Sequence, residues 1–347
     1  MFALVHGPWP RVAVDGTDLA VLEAQVETGQ LAADELRAAT ERLVAEIVQA
    51  QADAGIDLVT DGQVRWPDLA LAVATTLAGA GDDAGSALVE AWRATAALTD
   101  RPVAQAIPGP FTLGRRAGGA FAERAHRTRA IAQALAGEMR ALAEAGCPMV
   151  LVEEPLAVDV GEDADERDLF LEAQQRLLDP VPGLHAMLVV SGGTAHLAGP
   201  DAILGAPYRS FLFDLIDGPD NWYLVRATPG DRGIVCGALQ VSDPAPRDQA
   251  PLLVWASAYA ASTAARGTAR VGLANARALS HVGPEAARAL VAQLGRAARL
   301  AAMPPEDAVK AGLDPRTFAQ PADRRGGGQK LRSGMGPRTG RKRGQSR

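Results

Sequence analysis

Residues 148–155 read Pro-Met-Val-Leu-Val-Glu-Glu-Pro. Four consecutive apolar residues, half of them β-branched, run straight into two carboxylates and a proline. A strand with one wet face alternates apolar and polar residues. A uniform run has both faces buried, as in a parallel sheet covered by helices. Pro155 cannot donate to a ladder and ends the run. In parallel α/β folds, ligands bind at the carboxyl ends of strands. Glu153 and Glu154 therefore mark a candidate site. The plainer alternative is that the pair caps the strand or pairs with a nearby arginine.

Seven more short apolar runs share this character: Phe2–His6, Ile56–Thr60, Val103–Ile107, His185–Val190, Ser210–Leu215, Gly233–Leu239 and Ala269–Leu273. Helical patterns separate most of them. Asp34–Ala54 has Leu36, Leu43, Ile47 and Val48 on one face, acids in its first turn and Gly55 at its end. Phe121–Ala145 carries Ile131, Leu135, Met139 and Leu142 and stops at Gly146. Further helices are predicted over Ala164–Leu178, Pro251–Ala265 and Pro284–Leu300. Residues 68–98 read as two helical pieces, broken near Gly79 to Gly85. Eight strands alternating with helices over 347 residues predict a single (β/α)8 TIM barrel of the α/β class. No Gly-x-Gly-x-x-Gly follows the first strand and no Gly-Lys-Ser/Thr loop is present, so dinucleotide and P-loop functions have no support.

The barrel is expected over residues 1–318, with a basic tail over 319–347. From Arg324 to Arg347 there are nine Lys or Arg and no acid, which leaves the rest of the chain 26 basic against 41 acidic residues, a net of −15. An acidic body argues against specific nucleic-acid binding. The tail is rich in Gly and Ser, has little to bury and is expected to be disordered. Met1–Val5 meets His6, Gly7 and Pro8 at once, unlike a signal peptide. No apolar run reaches the ~18 residues of a membrane span. Cys147 and Cys236 cannot make a disulfide framework. A cytoplasmic protein with a small-molecule substrate and no membrane partner is expected.

Several segments carry a resemblance when taken in order. They are Leu4-Val5-His6-Gly7-Pro8-Trp9-Pro10-Arg11, Gly55 through Asp61-Gly62-Gln63-Val64-Arg65-Trp66, Ile107-Pro108-Gly109-Pro110-Phe111-Thr112, and Ala145-Gly146-Cys147 through Glu153-Glu154-Pro155. Together they resemble the catalytic barrel of the cobalamin-independent methionine synthase family, over about residues 2–302. The resemblance implies methyl transfer from a folate to a zinc-bound homocysteine thiolate, zinc lowering the thiol pKa. It implies His, Cys, Glu and Cys ligands on later strands. Those positions fall on Met187, Val189, Asp214 and near Asn275, so the zinc ligands are largely unmatched. The family's opening Ser is Pro8 here, its Glu after Asp-Gly is Gln63, a Trp position falls near Arg116, and its strand-end Asp is Glu153.

The candidate catalytic groups are Glu153, Glu154, Asp61 and Asp214, each at a strand end. One of the glutamates is expected to line the mouth together with Asp61 and Asp214. Candidate substrate contacts are His6, Trp9, Gln63, Arg65, Trp66, Arg116, Ser191 and Asn275. His6 suits acid–base work near neutral pH or a structural bond to a loop carbonyl. Arg65 and Arg116 suit an anion or pair with Asp61 and Glu153. His196, Asp214 and Cys236 are a conceivable substitute metal set, against which a strand cysteine is usually a small hydrophobe. Two other functions stay open: a metal-independent decarboxylase of the uroporphyrinogen group, using Asp61, Arg65, Arg115 and Arg116, and a non-catalytic small-molecule binder.

The tail composition makes a first prediction. Truncation after Ala319 leaves the melting temperature unchanged in a calorimetric scan, because a tail this polar does not offset its ordering entropy. A drop of several degrees would show that it docks.

Overall fold

The computed structural model describes residues 1–79, 86–246, 248–304 and 307. The expected tail, 319–347, and the end of the barrel region lie outside the described residues, as does most of the expected break at 79–85.

Among the described residues, seven strands form one parallel sheet. They are β1 (Phe2–Ala3), β2 (Ala104–Pro108), β3 (Met149–Glu153), β4 (Ala186–Val190), β5 (Ser210–Asp214), β6 (Gly233–Leu239) and β7 (Val271–Asn275). Their spatial order is β1-β7-β6-β5-β4-β3-β2. Helices surround the curled sheet: α1 (Leu19–Glu27), α2 (Ala33–Ala54), α3 (Leu69–Gly79), α4 (Ala87–Ala96), α5 (Pro110–Arg116), α6 (Phe121–Ala145), α7 (Ala164–Leu178), α8 (Gly199–Leu204), α9 (Trp222–Ala227), α10 (Ala250–Ser262) and α11 (Pro284–Ala301). Strands β2, β4, β5 and β7 are buried along their whole length, as uniform apolar runs require. Among the described residues no helix is long and apolar enough to cross a membrane.

One of the eight expected strands differs. Ile56–Thr60 makes only single parallel bridges, Leu4 with Leu58 and Val59 with Val103, between the two edges of the sheet. Side chains take the backbone groups that a longer ladder would use. The Asp57 carboxylate accepts the Ala3 N–H at 2.8 Å. The Gln51 amide bonds both sides of Thr60, donating to its carbonyl at 2.7 Å and accepting its N–H at 3.1 Å. The first strand is also shorter than expected. The last lies two residues later, because Thr268–Arg270 forms a 3₁₀ turn before it.

A seam joins the start of the chain to its last strand. Asn275 accepts the His6 backbone N–H at 3.1 Å and donates to the His6 carbonyl at 2.8 Å and the Arg277 carbonyl at 2.9 Å. It fixes the segment after β1 against the end of β7, and so sets one wall of the mouth.

Candidate active site

The segments that follow the strand ends enclose a cavity of about 400 Å³. Its wall includes His6 after β1, Gln63 and Trp66 in the loop after Thr60, and Arg116 at the end of α5. Glu153 from β3 and Ser191 after β4 complete the part expected from sequence. Arg277 and His281, after β7, also line it. Sequence reasoning missed both as site residues. The only signal was that Arg277 stands in the loop four residues beyond the expected strand end at Leu273, and His281 reads as a helix cap.

Glu153 ends β3 and Glu154 follows it, and the alternation of the extended chain sends the two carboxylates in different directions. Glu153 lines the cavity. Its Oε1 accepts the Gly7 backbone N–H at 3.0 Å and the Gln63 amide at 2.9 Å. Its Oε2 has no donor among the described residues. Burial pushes this carboxyl up to about 7, past the opposing pull of the Gln63 and Gly7 bonds, with a smaller upward push from Asp61. A carboxyl that titrates near neutrality can both take and give a proton.

Glu154 turns away from the cavity and is fully buried. It caps α5: its Oε1 accepts the Phe111 N–H at 3.0 Å and its Oε2 the Thr112 N–H at 2.7 Å. Helix starts leave such donors without partners, and a carboxylate there also meets the positive end of the dipole. The Gln174 amide of α7 donates to Oε1 at 2.6 Å, and the Tyr208 hydroxyl donates to the Gln174 carbonyl oxygen at 2.6 Å. Gly109 makes room for this carboxylate, since a Cβ there would collide with it. Burial raises the Glu154 pKa despite these donors.

The loop holding Gln63 is braced from behind. Gln63 sits in the left-handed region at φ 57°, uncommon for a residue with a side chain. The Asp61 Oδ1 holds it there by accepting the Gln63 backbone N–H at 2.8 Å. Asp61 Oδ2 meets Arg65 Nη1 at 3.1 Å. Arg65 also donates to both Glu41 oxygens at 2.8 and 2.7 Å, and to the Thr95 hydroxyl at 2.9 Å. Burial raises the Asp61 pKa, with Arg65 the main counterweight. Trp9 is buried against Gly62, where a Cβ would stand 2.9 Å from its ring. Asp61, Arg65 and Trp9 thus shape the loop and do not line the cavity.

His6 is buried, and its Nε2 lies 2.8 Å from the Asn275 carbonyl. A carbonyl only accepts, so Nε2 carries the ring proton and Nδ1 keeps its lone pair. Burial lowers the His6 pKa to about 4, and the ring is neutral at neutral pH. Arg116 is half-exposed and paired with Asp68 at 2.9 Å. Arg277 is paired with Asp217.

The expectation that Asp214 shares the cavity is corrected. Its Oδ1 accepts the Ile216 and Asp217 N–H groups, both at 2.9 Å, and its Oδ2 accepts the Gly192 N–H at 3.1 Å. It is a loop anchor, and Asn275 is likewise the seam described above. The zinc donor set implied by the resemblance does not fit here. Met187 and Val189 are buried and present a thioether and a hydrocarbon. Asp214 is engaged by backbone donors, and Asn275 offers an amide already bonded on both sides. Zinc takes thiolate, imidazole and carboxylate donors. The substitute set is not brought together either. His196 Nδ1 bonds the Thr194 hydroxyl at 2.9 Å, and the Cys236 thiol points to the Ala256 carbonyl of α10, its pKa raised to about 12 by burial. Among the described residues no three His, Cys, Asp or Glu side chains form a metal-holding group.

No protein-family model matches the chain, and no curated protein does. Solved structures do. A B12-independent methionine synthase from Shewanella sp. W3-18-1, in complex with selenomethionine, matches with a TM-score of 0.68 at 14% identity, covering 90% of this chain and 99% of that one. A putative vitamin-B12 independent methionine synthase from Listeria monocytogenes matches with a TM-score of 0.68 at 16% identity, covering 86% and 97%. A methyltransferase from Methanosarcina mazei matches with a TM-score of 0.51 at 15% identity, covering 76% and 86%. The chain has the fold of the cobalamin-independent methionine synthases. At these identities the likeness defines the fold.

The two glutamates make opposite predictions. Glu154→Ala strands buried donors and lowers stability by about 3 kcal/mol at neutral pH, measured by denaturant unfolding. Glu153→Gln acts through pH. The raised pKa of Glu153 adds stability that is full below the ordinary 4.5 and is lost as the pH rises through about 7. The variant lacks that loss, so its melting temperature relative to the parent rises from about pH 5 to about pH 8. Parallel curves would show that Glu153 titrates normally.

Proposed function

We propose that the chain is a divergent member of the cobalamin-independent methionine synthase family. In this reading Ile56–Thr60 completes a (β/α)8 barrel, and the mouth transfers a methyl or other small alkyl group to a thiol without zinc. The supporting observation is Glu153, a carboxyl raised to about 7 in the wall of the mouth, with Oε2 free of donors among the described residues. In the proposed step Glu153 takes the thiol proton and the sulfur attacks the alkyl carbon. The bond from that carbon to its donor atom breaks, and the donor atom leaves with the electron pair. Glu153 then returns the proton to that atom. Gln63 and Gly7 hold Oε1, so Oε2 is the oxygen that moves the proton. Neutral His6, with a free Nδ1 lone pair, accepts a hydrogen bond from a substrate N–H or O–H.

The decarboxylase alternative has less behind it. Arg65 is spent on Glu41 and Asp61, and Arg115 on Asp159 and Glu166. A binding-only role is favoured by one observation, the loss of the zinc donors. Single-turnover assays with small thiols and a methyl donor separate the two. Glu153→Gln is expected to lower kcat/KM about 10²–10⁴-fold while thiol binding persists. The parent rate rises with pH to a plateau above about 7, because the base form is needed. Thiol binding with no thioether formed by the parent would leave the binding-only role.

A further inference from the structure

The opposite end of the sheet holds a second cavity, of about 460 Å³. A register pattern sets its chemistry. The residue just before β4 is His185, before β5 Arg209, before β6 Arg232 and before β7 Arg270. These four strands adjoin in the order β7-β6-β5-β4. Ser210 pairs with Gly233, and Ile234 with Val271. Carried one residue back, that register sets Arg209 beside Arg232 and Arg270 beside Gly233, on strands about 4.8 Å apart, so the four basic residues fringe the starting edge of the sheet from both of its faces. All four line the cavity with Ser210 and one acid, Asp231. With His185 neutral, three arginines against one aspartate leave an excess of two positive charges in a chain of net charge −6.

The arginines keep donors free. Arg209 donates through Nη2 to the Pro182 carbonyl at 3.1 Å. Arg232 uses Nη1 alone, to the carbonyls of Leu204 at 2.7 Å and Ala206 at 3.0 Å. Arg270 makes no side-chain hydrogen bond, and none of the three forms an ion pair, among the described residues. Ser210 is buried and bonds the His185 ring at 2.8 Å. Gly233 lets the strands pack closely at the floor: a Cβ there would stand 3.0 Å from Ser210 Cβ and 3.5 Å from the Arg270 carbonyl oxygen. Burial, and then the Arg209 charge, lower the His185 pKa, as a positive field would.

We propose that this floor is an anion-binding site, separate from the mouth, for inorganic phosphate or the phosphate group of a small monoester. A dianion matches the excess charge better than a carboxylate does. Guanidinium forks offer paired N–H donors to phosphate oxygens.

The test is calorimetric titration of the full chain with inorganic phosphate, the ionic strength held constant with chloride. Saturable binding is expected in the parent and in Arg226→Gln, which removes an exposed cation of α9. Arg209→Gln combined with Arg270→Gln is expected to weaken binding at least roughly tenfold. Arg270→Gln alone breaks no hydrogen bond among the described residues, so it separates lost binding from lost folding, and a several-fold loss is expected. The proposal is overturned if the parent shows no saturable binding. It is equally overturned if Arg270→Gln and the double variant bind as the parent does, which would put the phosphate on the mouth or the tail. Glycerol phosphate competing with inorganic phosphate would assign the monoester as the source. Binding of the free ion alone would leave inorganic phosphate.

Discussion

The buried carboxylate of Glu154 ties the mouth together. It stands just past the end of β3, caps α5 through Phe111 and Thr112, and reaches α7 through Gln174. One side chain thus links a strand to the two helices around it. Donors on several elements make a buried carboxylate tolerable, because each replaces water lost on burial. With Glu154 fixed outward, Glu153 is committed to the inside of the mouth. The cap and the candidate base are consecutive residues with different environments, and the geometry of β3 divides the two tasks.

The mouth also depends on closure at the other edge. His6 and Asn275 exchange backbone and side-chain bonds across the seam. That places the Gly7 N–H against Glu153. Part of the wall nearest the candidate base is therefore set by the segment after β1 held against the end of β7.

Much of the fold is legible in the sequence, and the misses have physical causes. Helices α6 and α7 are readable to the residue because Gly146 and Asp163 are local stop and start signals. Most apolar runs become strands because they are uniform. Helix α5 is not expected from the sequence because it is short and its cap comes from Glu154, far along the chain, leaving Pro110 at its first position as the local start signal. The bridging segment 56–60 reads as a full strand because hydropathy does not show Gln51 taking the backbone groups of Thr60, or Asp57 taking the N–H of Ala3. The site is half legible. Strand-end position finds Glu153, His6 and Gln63, but it does not separate carboxylates that face a cavity from those that anchor a loop. Asp61 and Asp214 differ from Glu153 in what their oxygens accept, and that is set by loop geometry.

Gln63 has a consequence for which substitutions the mouth can accept. Its amide donates to Glu153 across 2.9 Å. A carboxylate at 63 facing Glu153 would press two acids together, and one would have to stay protonated. The two positions are therefore coupled: a change at either is felt at the other through one hydrogen bond.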